Sequence, residues 1–148
     1  MTGMNEPSSI ERTVSARYTL LLTLWGAQMM ALVTFFMLAL FVFERKENSN
    51  DTMLWIMSAV GLMLVAASFL IKQKLLALAV EKQSPAHVQQ GQIVATALCE
   101  AAALLGLVAR AVTGTPYFYL PFAVAALGLL LHFPKREALL AASFRNRI

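Results

Sequence analysis

Glu100 is the residue whose type and setting most plainly carry chemistry, because it is the one charged group in the apolar run 93–109. Hydrocarbon offers a carboxylate no partner, so such a group faces protein or water or gives up its charge. Counting about 1.5 Å per residue from the basic flanks puts Glu100 roughly 10–14 Å deep and Gln28 about 15 Å deep. A hydrogen bond between Gln28 and Glu100, on two different helices, is therefore the expected contact. It is best satisfied by the neutral acid, which both donates and accepts. Gly61 falls near the same level and would leave room beside the pair, and Thr96 and Cys99 complete the expected lining. Two roles stay open: an ion- or proton-binding group, or a polar fastening between helices, which contributes only about 0.6–2 kcal/mol per bond.

Other chemistry is not visible. There is no glycine-rich phosphate loop, no His-Glu-x-x-His, no Gly-x-Ser-x-Gly and no paired acids. The single cysteine, Cys99, excludes an internal disulfide and is expected to be a small packing residue. No Cys/His cluster suggests a metal, so neither a metal nor another cofactor is expected and the chain does not read as an enzyme. Arg110 lies ten residues after Glu100 on a different face, which excludes an ion pair within the helix. It is expected to reach the outer headgroups. His132, beside Pro134-Lys135-Arg136, is expected at the interface, and Ser58, Ser68 and Thr96 are expected to bond back to the preceding turn.

The elements that must position these groups follow from composition. The chain has 148 residues, 59% hydrophobic and 14% charged, against about 25% charged in a soluble domain. Four stretches are almost free of charge: 18–43, 53–71, 93–112 and 117–133. Each approaches the roughly 20 apolar residues that cross a bilayer. The predicted fold class is all-α, an integral membrane antiparallel four-helix bundle. A loose N-terminal tail (1–17) precedes it and a basic amphipathic tail (134–148) follows. The first stretch is too long for a signal-peptide core, lacks a small-x-small cleavage pattern, and reads as a retained anchor.

Turn chemistry agrees with this division. Ser84-Pro85 ends the second helix, Asp51 or Thr52 is placed to cap it at its start, and Gly114-Thr115-Pro116 makes a short reversal between the third and fourth. Nine basic residues (Arg12, Arg17, Lys72, Lys74, Lys82, Lys135, Arg136, Arg145, Arg147) fall on one face and three (Arg45, Lys46, Arg110) on the other. That bias puts both termini in the cytoplasm of a bacterial-type inner membrane. The net charge of +4 then reflects topology and anionic lipid rather than nucleic acid. Small residues at four-residue spacing, Ala95–Cys99–Ala103 and Ala102–Gly106, mark the third helix as the bundle's centre or its contact with a partner.

The segment 97–108, Ala-Leu-Cys-Glu-Ala-Ala-Ala-Leu-Leu-Gly-Leu-Val, resembles the ion-carrying helix of the rotary ATPase proteolipids, the c-ring subunits. Gln83-Ser84-Pro85 is similar to that family's cytoplasmic loop. The resemblance implies that Glu100 carries a proton. The chain departs from that family in lacking the glycine repeat in span two and the loop arginine, and in having two further spans. Most of the chain is also similar to small bacterial four-span membrane proteins of unassigned role, with an Ala/Glu-rich third span and a last span ending in His-Phe-Pro followed by basic residues. Three functions are consistent with this reading. The leading one is a non-enzymatic membrane subunit or accessory protein that packs against partner helices or copies of itself through span three. The second is a proteolipid-like proton carrier using Glu100. The third is a small dimeric exporter.

Overall fold

A computed structural model describes residues 9–43 and 51–144, which are helical almost throughout, with no strand among them. The helices are α1 (Ser9–Phe41), α2 (Asp51–Glu81), α3 (Pro85–Thr113), α4 (Tyr119–Leu131) and α5 (Arg136–Phe144), with a 3₁₀ turn at Pro116–Phe118 leading into α4. The first three contain 33, 31 and 29 residues. At 1.5 Å per residue they run about 44–50 Å, longer than a hydrocarbon core of about 30 Å. All three are apolar and long enough to cross a membrane.

The helices overrun the apolar stretches because hydropathy marks depth while the helix itself continues to its next stop signal. α1 already begins at Ser9, so residues 9–17 are helical rather than loose, and Val14 is buried. Residues 1–8 of that tail, most of the 44–52 loop and the contact that would cap α2 lie outside the described residues. α3 starts at Pro85, whose missing N–H suits a first turn. It closes on Gly114 in the left-handed conformation (φ 64°), whose N–H bonds Arg110 O at 2.9 Å.

Three helices are each long and apolar enough to cross, and the fourth stretch reaches that length only as a bent pair. α4 has 13 residues, about 20 Å, too short to cross alone. The chain unwinds from His132 to Lys135 and resumes as α5, the segments Pro116–Leu131 and Arg136–Ser143 meeting at a 46° bend. Pro134 offers no N–H to continue the ladder. The described residues therefore form five helices rather than four. The expected amphipathic tail is a docked helix: Leu139 and Ala142 are fully buried with Val14, Leu21, Ala79 and Val88.

α3 is the central element. The buried share of its apolar window is 44%, against 22% in α2 and 11% in α1, so α3 is enclosed where α1 is open. The main core gathers Leu32, Val65, Cys99, Ala102, Ala103, Phe118, Phe122 and Leu129. Small residues make this closeness feasible. A Cβ on Gly128 would lie 2.7 Å from Cys99 Sγ and 2.9 Å from Val65 Cγ1, and one on Gly106 would lie 3.1 Å from Phe122 and Pro121.

Candidate functional site

The residues singled out from the sequence do not converge on one point. Gly61 is buried and faces α3, where a Cβ would meet Ala102 Cβ at 3.5 Å. It therefore brings α2 close to α3 rather than leaving space. Thr96 is buried, and its hydroxyl returns to Gln92 O (2.9 Å) and Ile93 O (3.2 Å) of its own helix. Cys99 is fully buried at the centre of the inward stripe.

Glu100 follows Cys99, and a helix turns about 100° per residue, so its side chain leaves from the flank of that stripe. It is half-buried and shares a helix face with exposed Ile93, Leu104 and Val108. The expected bond to Gln28 is not made. Gln28 is half-buried, its Oε1 is sealed from solvent without a hydrogen-bond partner, and no hydrogen bond or ion pair to Glu100 occurs among the described residues. Counting along each helix fixes depth, but the rotation of each helix decides whether two side chains meet.

Arg110 corrects a second expectation. It is 7% exposed and turned inward. Nε donates to Ala39 O (3.3 Å), Nη2 to Phe43 O (2.8 Å), and Nη1 to Gly114 O (2.8 Å) and Thr115 O (3.0 Å). The guanidinium also lies over the Phe118 ring, 4.9 Å from its centroid. The last carbonyls of a helix have no partner within it, and five donors in a planar fork suit this task. Arg110 thus ties the end of α1 to the α3–α4 turn.

The opposite end holds a buried polar cluster that sequence reasoning did not assemble. His132, at the end of α4, is 1% exposed, enclosed by protein. Its Nε2 lies 2.7 Å from Ser68 Oγ, and that hydroxyl donates to Val65 O at 2.6 Å. With the hydroxyl proton so engaged, the proton count assigns the donor role to Nε2. Cys99 Sγ is 3.8 Å from the same oxygen, and the Phe69 ring lies 4.3 Å from the imidazole. Two carbonyls where α4 unwinds accept side-chain donors: Trp25 Nε1 donates to Leu129 O (2.8 Å) and the Gln92 amide to His132 O. The usable signal was depth, since Ser68 and His132 each lie a few residues inside the basic end.

A serine beside a histidine can form a nucleophile and base. Here Ser68 is fully buried and its proton is held by Val65 O, so it is not presented to a substrate. No group of three or more His, Cys, Asp or Glu that could hold a metal occurs among the described residues. A cavity of about 240 Å³ lies next to the cluster, lined by Lys72, Gln73, Gln92, His132 and Lys135 among apolar neighbours. Comparison with protein-family models, curated proteins and solved structures finds no match.

Proposed function

We propose that the protein is a non-enzymatic integral membrane subunit or accessory protein whose α3 flank docks against a membrane helix of a second copy or of another subunit. In this reading the chain is an antiparallel membrane bundle of four crossings, with α4 supported by its turn and by α5. Both termini lie on the basic, cytoplasmic side of a bacterial-type inner membrane. Exposed Trp55, Met63, Leu127 and Leu131 are then lipid contacts, which a water-soluble monomer would rarely gather in such number.

The observation that carries the reading is Glu100. It is half-buried, lacks a hydrogen bond or ion pair within the described chain, and stands beside exposed apolar residues at mid-helix. An acid at that depth is costly against lipid, and a neighbouring helix with a polar group supplies what this chain does not. The test is photo-cross-linking in native membranes from a benzophenone attached at Leu104→Cys, with Met63→Cys on α2 as control. Native Cys99 is fully buried and does not compete for the label. Position 104 is expected to give discrete protein adducts and position 63 mainly lipid adducts; lipid adducts alone from both would refute docking through α3.

The same openness favours a second reading, a proteolipid-like proton carrier. It calls for a carboxyl-directed carbodiimide to modify Glu100 in membranes, less so as protons or sodium ions compete. An unreactive Glu100 leaves the fastening role. The exporter reading needs a cavity that reaches Glu100, and Glu100 is not among the residues lining the cavity described above.

A further inference from the structure

The cavity at the basic end has no part in the α3 contact, and its lining has a definite chemical character. It is lined by Leu21 of α1, by Phe69, Lys72, Gln73 and Leu76 of α2, by the start of α3 and by the α4–α5 junction. Two of its polar walls are sealed side chains, His132 (1% exposed) and Gln92 (6%), and its two cations are Lys72 and Lys135. No acidic residue lines it, and both lysines line the same cavity. Leu131 and Phe133, at its rim, are exposed. Two unneutralised cations above an apolar rim match an anion that carries an apolar tail.

The geometry points to a binding site for the headgroup of an anionic phospholipid, with the phosphate between Lys72 and Lys135 and the acyl chains leaving past Leu131 and Phe133. This inference rests on the membrane reading above. A volume of about 240 Å³ is below the roughly 300–1,000 Å³ of pockets that enclose a drug-sized ligand. It admits a phosphate and glycerol and leaves the chains outside. Lys72 directly follows the apolar stretch that ends at Ile71, and Lys135 follows Pro134, which puts both ammonium groups at headgroup depth. Basic pockets between membrane helices on the cytoplasmic side commonly hold anionic headgroups. The same chemistry would accept free phosphate, so the experiment must separate the two sources.

The test is native mass spectrometry of the full chain in detergent, titrated with dioleoylphosphatidylglycerol, dioleoylphosphatidylcholine or inorganic phosphate. Phosphatidylglycerol is expected to give one retained adduct, phosphatidylcholine little, and millimolar phosphate no displacement. Each lysine near an anionic lipid is worth about a fivefold factor in affinity, so K72Q/K135Q is expected to weaken the adduct by about thirtyfold. Lys74→Gln, outside the cavity, and K72R/K135R are expected to retain it. Lys135 is exposed, so Lys135→Gln alone keeps the fold and still shows about a fivefold loss. Equal binding of the neutral lipid, an unchanged adduct in K72Q/K135Q, or complete displacement by phosphate overturns the lipid site. Failure of the membrane reading shows separately, as a protein that stays soluble without detergent and does not float with vesicles.

Discussion

Arg110 and Glu100 stand ten residues apart on one helix, and the chain treats them in opposite ways. Arg110 is enclosed and its guanidinium engages four carbonyl oxygens around the ends of α1 and α3, whereas Glu100 is left open. Lysine keeps the charge of arginine but not the planar fork, so Arg110→Lys is expected to lower stability by about 2–3 kcal/mol. Thermal unfolding in detergent would read this, and an unchanged midpoint would mean that the clamp contributes nothing. The position of Arg110 at the end of an apolar run was legible from the sequence, but its inward turn was not. Its acceptors are backbone carbonyls, which every residue has and no residue type announces. Gln28 and Glu100 show the same limit, since their depths could be counted and their rotation could not.

At the scale of the elements, closeness between helices is set by single small residues. Gly128→Ala would press its methyl against Cys99 Sγ (2.7 Å) and Val65 (2.9 Å), and is expected to destabilise by about 1–3 kcal/mol. Gly61→Ala meets Ala102 at an ordinary 3.5 Å and is expected to change stability by no more than about 0.5 kcal/mol. Denaturation of both variants side by side tests the difference, and equal effects would contradict the close α3–α4 approach. The reversal at Gly114 could be read from the sequence because left-handed backbone asks for glycine and a helix start accepts Pro116. The docking of α5 could not: its mixture of basic and apolar residues suits a lipid surface as well as a protein groove. Only the presence of Val14, Leu21 and Val88 at that end decides between them.

For the whole molecule, the three long apolar helices were evident from hydropathy, whereas the broken fourth was hidden by the apolar run to Phe133. The two ends differ in kind. One is closed by an arginine tied to backbone carbonyls, and the other by a His–Ser–Cys cluster beside a basic cavity. Between them Glu100 is a half-buried acid with no hydrogen bond or ion pair among the described residues, and in the proposed function another helix provides its partner. The most direct measurement is native mass spectrometry of wild type and Glu100→Leu ejected from lipid nanodiscs. Wild type is expected as an assembly containing at least a second chain, and Glu100→Leu is expected to shift toward the single chain. A solitary wild-type chain, with Glu100→Leu equally solitary and at least as stable, would contradict a partner-facing Glu100.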